Sequence, residues 1–183
     1  PCGLFFKTNS VTDKDVIEKI VEASQAGVNV TLFVRGISCI VPGLEGLTEN
    51  VRVVSIVGRL LEHSRIYGFG PRDNMKVYLS SADLMTRNMD KRIEIAWPIL
   101  NETLRNQVLG YLGICYSDTA KLRELLPDGS YTALGAFAER NENGEVKLFD
   151  SQKYLIAEAQ RMRLAAAELA ARKEANLGGS ARV

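Results

Sequence analysis

The sequence is poor in the groups that most often carry chemistry. It holds one histidine, His63, one tryptophan and three cysteines in 183 residues. Cys2, Cys39 and Cys115 lie far apart, with no CxxC pair and no second histidine, which excludes the common structural zinc arrangements. Their odd number fits a reducing compartment, with all three expected as packing residues. Charge of one sign is lacking as well: 23 basic against 22 acidic residues leave a net +1. A protein that coats nucleic acid through bulk charge is thereby excluded, and any anion site must be a local cluster. No apolar run reaches the roughly 18 residues that a membrane-spanning helix needs. The opening residues do not read as a signal peptide, and none is expected. GxxxxGK[ST] and GxSxG are absent, and the "GFG" at 68–70 is followed by neither HRD nor DFG. The schemes those motifs serve are therefore not used here.

What is present describes a layered domain. The length fits one domain, and 46% hydrophobic content is ample for a core. The opening "PCGLFFKTNS" lacks an initiator Met and enters a strand-like run, Leu4 to Lys7, at once, so it reads as part of a longer protein. Residues 12–26 have helical periodicity, with Val16, Ile17, Ile20 and Val21 as the apolar stripe, Thr12 as the expected cap and Gly27 as the stop. "VNVTLFV" (28–34) and "VRVVSIV" (51–57) read as buried strands, separated by a Pro- and Gly-containing loop. Residues 65–69 and 76–80 read as a hairpin. Residues 91–99 alternate like a strand, with Ile93, Ile95 and Trp97 on one face. Asn101 is the expected cap of a helix over 101–112, residues 126–131 are a turn, and 139–150 are a hairpin or loose loop. Alanine-rich 151–175 reads as a long helix with a fraying tail. The expected division is 1–150 as the domain and 151–183 as C-terminal helix and tail.

Two residues stand out chemically. Arg35 follows a buried strand, and ligands of open α/β sheets bind at the carboxyl ends of strands. A guanidinium there can fork onto phosphate, and Gly36 beside it lets backbone amides approach an anion. His63, in "LEHSR", can exchange a proton near neutral pH or attack phosphorus. The alternatives are a surface arginine at a strand end and a hydrogen-bonded structural histidine. Between Arg35 and Arg92 nine basic residues face six acidic ones, an excess that fits either an anion groove or a solvated face.

Read together, "ASQAGVNVTLFVRGISCIVPGLEGLTENVRVVSIVGRLLEHSRIYGF", "VYLSSADLMTRNMDKRIEIAWPI" and the later "LRELLPDGSY" resemble the C-terminal catalytic domain of bacterial polyphosphate kinase. The resemblance is strong over residues 7–131 and weak in the tail. It implies an α/β fold: a phospholipase D-like mixed sheet flanked by helices, with a long C-terminal helix. It implies reversible transfer of the terminal phosphate of ATP to polyphosphate, with Mg2+ whose ligands lie in an upstream domain. By motif, Arg35 corresponds to a nucleotide-phosphate-binding arginine. His63 corresponds to an active-site histidine that contacts the phosphates and acts as acid or base. Arg65, Ser81 and Arg87 are further candidates for phosphate binding, with a structural role as the alternative. The family's phosphorylated histidine belongs to the preceding domain and has no counterpart here, so the chain alone is expected to be inactive. The implied partners are ATP or ADP, polyphosphate and the upstream domains, with a homo-oligomer allowed and no nucleic acid. The implied location is cytoplasmic, with membrane association allowed.

The phospholipase D pattern is only partly kept. His63-Ser64-Arg65 replaces HxK, Gly70 replaces an expected acid, and Ser80-Ser81-Ala82-Asp83 stands where Gly-Ser-x-Asn would lie. A phosphodiesterase and a non-catalytic polyanion-binding module are the two other readings.

Overall fold

The computed structural model describes residues 2–133, 144 and 148–179. Its framework is a mixed sheet in the order β6-β5-β4-β1-β2-β3-β7-β8. The strands are β1 (Cys2–Thr8), β2 (Asn29–Val34), β3 (Val51–Ile56), β4 (Ile66–Pro71), β5 (Lys76–Ser80), β6 (Ala96–Pro98), β7 (Leu122–Leu125) and β8 (Tyr131–Ala133). The helices are α1 (Lys14–Gln25), α2 (Thr86–Asp90), α3 (Glu102–Tyr116) and α4 (Ser151–Gly179). β1, β2 and β3 run parallel, and every other pairing is antiparallel.

The pleat explains the layering. Alternate side chains of a strand leave on opposite faces. Val30, Leu32 and Val34 of β2 join Val51 and Val53 of β3 in a cluster packed by Val16, Ile17, Ile20 and Val21 of α1. Phe33, Val54 and Ile56 join Leu122, Cys115 and Tyr111 on the α3 side. Both faces of the central strands are thus covered, as their near-continuous β-branched sequence requires.

The ends of α1 show how local chemistry sets boundaries. Asp13, not Thr12, is the cap: its Oδ1 accepts the Val16 amide at 3.0 Å, and the helix begins at Lys14. The Thr12 and Asp13 amides both donate to the Leu84 carbonyl, which holds Thr12 one residue too early to cap. Gly27 closes the helix with φ 77°. Asn101 caps α3 as expected, through the Leu104 amide at 3.0 Å, but the helix runs on to Tyr116.

Other expectations need correction. The alternation over 91–99 yields only the three-residue edge strand β6, and Ile93, Ile95 and Trp97 are exposed. Ser81 holds Ile95 from both sides, its amide donating to the Ile95 carbonyl and its Oγ accepting the Ile95 amide, each at 3.0 Å. Residues 91–95 therefore follow a loop rather than a ladder. Of the cysteines only Cys115 is a packing residue; Cys2 and Cys39 are exposed. Burial pushes the Cys115 thiol up to about 11. β7 and β8 are strands that the pattern did not announce. α4 extends to Gly179, past the expected end at 175. The expected hairpin or loop at 139–150 lies outside the described residues except for 144 and 148–150.

Candidate active site at one end of the sheet

Strand direction gathers the candidate residues. β1 ends at Thr8, paired with Val34 at the end of β2, while Lys7 pairs with Ile66 at the start of β4. The end of β2, the loop 57–65 between β3 and β4, and the end of β5 therefore share one end of the sheet. Arg35 follows β2 there. His63 lies in that loop, exposed, three residues before β4.

Arg35 is half-buried, and its Nε is buried without a hydrogen-bond partner among the described residues. An orphaned buried donor is costly unless something accepts from it. It borders a cavity of about 400 Å3 whose lining includes Ser55, Lys121, Arg123 and Tyr131. Gly36 also lines the cavity, but its amide donates to the Asn9 carbonyl at 2.8 Å and is not free for an anion. Its lack of a side chain has another cause: a Cβ there would lie 2.8 Å from the Asn9 carbonyl oxygen.

His63 is flanked by Arg65, whose Nη1 lies 3.4 Å from Nδ1 and 3.5 Å from Nε2. Arg65 is anchored by a two-pronged bond to Asp83, Nε to Oδ1 at 2.9 Å and Nη2 to Oδ2 at 2.8 Å. Asp83 also accepts from Thr8 Oγ1 at 3.0 Å and the Asn9 amide at 2.8 Å. Burial alone would raise the Asp83 carboxyl, but Arg65, Asn9 and Thr8 outweigh it and hold it below its ordinary value. Arg65 is raised in turn, mainly by that bond.

On the α3 side the same loop is held by a group that sequence reasoning missed. Lys7, 1% exposed, pairs with Glu62 at 3.2 Å and sits over the Phe33 ring at 5.2 Å. Glu62 also accepts from Tyr111 at 2.9 Å and from Gln152 of α4 at 2.8 Å. Gln152 further spans the loop, donating to the Leu60 carbonyl and accepting the Leu60 amide, each at 2.9 Å. Burial would raise Glu62, yet Gln152, Lys7 and Tyr111 together hold it below its ordinary value; burial lowers Lys7 against the pull of Glu62. "LFFKT" gives no sign that its lysine faces inward; only the partner at position 62 does.

The remaining candidates are placed differently. The Ser81 hydroxyl donates to Glu94 while accepting the Ile95 amide, and Asn88 donates to the other Glu94 oxygen at 2.6 Å. Arg87 is exposed on α2, and among the described residues no hydrogen bond or ion pair joins its side chain to the His63–Arg65–Asp83 group. The phospholipase D variations gain a physical reading. The arginine in place of lysine is spent on Asp83. Gly70 has φ 108°, a conformation that strains any residue with a side chain.

The model of the polyphosphate kinase C-terminal domain 2 matches residues 1–145. Polyphosphate kinase from Bacillus cereus is 50% identical over 143 residues, 78% of this chain and 20% of that protein. The crystal structure of polyphosphate kinase from Porphyromonas gingivalis superposes with a TM-score of 0.74 at 34% identity, over 87% of this chain and 24% of that one. The phospholipase D family member Nuc from Salmonella typhimurium shares the fold, with a TM-score of 0.50 at 16% identity, over 68% of this chain and 82% of that one. The chain spans about a fifth of the length of the curated relatives it matches. With the ordered motifs, the mixed sheet and these likenesses in agreement, the chain belongs to the polyphosphate kinase C-terminal domain 2 family.

Proposed function

We propose that this domain supplies phosphate-binding and proton-handling groups to reversible transfer of the terminal phosphate of ATP to polyphosphate. The observation that carries the reading is the buried Nε of Arg35, without a partner among the described residues, beside a cation-lined cavity at the sheet end that also presents the exposed His63 ring. Phosphoryl transfer asks mainly for placed positive charge. Arg35 holds charge on the nucleotide phosphates. His63, protonated, donates to the oxygen that leaves with ADP, and returns the favour as a base in the reverse direction. Arg65 acts on the ring rather than on phosphate, because both of its Asp83-facing nitrogens are engaged. Ser81 braces the 94–95 loop, and Arg87 is left as an outlying cation.

The acidic groups near the site are committed elsewhere: Asp83 to Arg65, Glu62 to Lys7, Glu94 to Ser81 and Asn88. Among the described residues no three His, Cys, Asp or Glu side chains gather to hold a cation. These donors do not fit a resident Mg2+ site, and no step here passes through one; the proposal leaves Mg2+ to the upstream domain. The nucleophilic histidine belongs to the same upstream domain. Residues 1–150 form the contributing unit and 151–183 its appended helix and tail; the first turn of that helix is bonded into the unit through Ser151 and Gln152, and its exposed residues 159–172 are available to the upstream domains or a sister chain. The proposed location is the cytoplasm, with membrane association allowed.

Joined to the upstream domains, His63→Ala lowers ATP-dependent polyphosphate synthesis by about 10²–10⁴-fold, and Arg35→Ala raises KM for ATP as well. The 183-residue chain alone makes no polyphosphate. Synthesis by the chain alone, or a His63→Ala enzyme with more than half of the parent rate, would refute the proposal.

A further inference from the structure

The cavity beside Arg35 is larger than one guanidinium needs. Its outer wall is built by β7 and β8, the strands the sequence did not announce. In the β3–β7 ladder Arg123 stands opposite Ser55, and in the β7–β8 ladder opposite Ala133. Tyr131 stands opposite Leu125, two residues from Arg123 and so on the same sheet face. Ser55, Arg123 and Tyr131 thus form one polar strip leading away from Arg35, with Lys121 at its edge.

The electrostatics of this strip are one-sided. Among the described residues neither Arg35 nor Arg123 is paired with a carboxylate. The Arg123 Nη1 donates to the Leu122 carbonyl at 3.2 Å, and among the described residues the rest of its fork has no partner. Lys121 is partly neutralised by Asp150 at 3.0 Å. Among the described residues no acidic side chain lines the cavity. Such a row suits an anion with charge repeated along its length. A nucleoside would want a flat apolar seat; among the described residues the only ring here is Tyr131, and it stands among cations. A single-stranded nucleic acid would want successive aromatic platforms, which the strip does not offer.

We propose that the strip of Arg123, Ser55 and Tyr131, with Lys121, seats the non-reacting phosphates of an inorganic polyphosphate chain whose reacting end lies at Arg35. This rests on the proposed function and adds a seat for the chain, separate from that for the nucleotide. Arg123 is its principal cation, and Lys121, shared with Asp150, a lesser one.

The test is calorimetric binding to the 183-residue chain of four probes: long-chain polyphosphate, tripolyphosphate, ATP and single-stranded oligothymidylate. The chain binds long polyphosphate more tightly than tripolyphosphate, with an affinity that falls steeply with salt. Arg123→Gln weakens long polyphosphate at least about tenfold and ATP less than about twofold, with an unchanged melting temperature. Arg123→Lys restores most of the loss, and Lys121→Gln costs less than Arg123→Gln. The proposal is overturned if the parent chain does not bind long polyphosphate, or if Arg123→Gln leaves that binding intact. It is also overturned if ATP is weakened as much as polyphosphate, or if oligothymidylate binds as tightly with the same dependence on Arg123. Failure of the wider reading shows elsewhere, in Arg35→Ala and His63→Ala assayed for synthesis with the upstream domains present.

Discussion

Asp83 shows how much one side chain organises here. It gathers the Arg65 guanidinium, the Thr8 hydroxyl and the Asn9 amide, and through Arg65 it fixes what stands beside His63. The Arg65–Asp83 pair is largely buried, so removing one partner strands the other. Asp83→Asn should cost about 3 kcal/mol in urea unfolding at neutral pH. Asp83 and Glu62 both titrate below their ordinary values in the folded chain. Their stabilisation is therefore present above about pH 4, where the unfolded carboxyls are already ionised. It is lost as pH falls through the depressed folded values. Unfolding curves between neutral and acid pH should show this decline, and the Asp83→Asn, Glu62→Gln double variant should show a shallower one. An unchanged acid slope would sink the assignment. The Lys7–Glu62 pair makes a related demand: Glu62→Gln alone destabilises by about 3 kcal/mol, whereas Lys7→Met with Glu62→Gln recovers most of it. A double-mutant cycle reads the difference.

Among the elements, α4 reaches the candidate site through its first turn. The Ser151 amide and hydroxyl bond Asp118, at 2.8 Å and 2.7 Å, and Gln152 spans the loop that carries His63. Gln152→Ala frees that loop. It should lower kcat with little change in KM for ATP in the enzyme with upstream domains, and Gln152→Glu should not rescue it, because a carboxylate there faces Glu62. A parallel change in kcat and melting temperature, without that split from KM, would mark Gln152 as only structural. Residues 159–172 are exposed throughout. Truncation after residue 158 should therefore leave the unfolding free energy, read from urea curves, within about 1 kcal/mol of the parent. At the other end of the chain Asp13→Ala should cost about 1 kcal/mol, the usual value of a lost helix cap.

At the scale of the whole molecule, the strand order assembles the candidate site. β1 separates β2 from β4, so the loop after β3 must cross back over the sheet end to begin β4. That crossing carries His63 over the end at which Arg35 is held. Arg52 ties β7 to β3 through a two-pronged bond to Glu124, at 2.8 Å and 2.7 Å, and so fixes the outer wall of the cavity.

The central strands, α1, α3 and the start of α4 were legible in the sequence because their patterns are local: β-branched runs, a 3.6-residue stripe, an Asn cap and sustained helix propensity. Arg35 and His63 were legible as candidates because a guanidinium after a buried strand and a lone imidazole are chemically conspicuous. Residues 91–99 misled because alternation is blind to whether a neighbouring strand exists to cover it. β7 and β8 were hidden because short edge strands take their identity from their partners. The sequence by itself determined which segments extend, which coil and where reactive groups stand along the chain. Tertiary structure decided that Lys7 is buried against Glu62, that Arg65 is spent on Asp83, and that Arg123 joins Arg35. Those pairings join residues 18 or more positions apart, and only the packed sheet gives long-range neighbours the proximity through which charge and hydrogen bonding act.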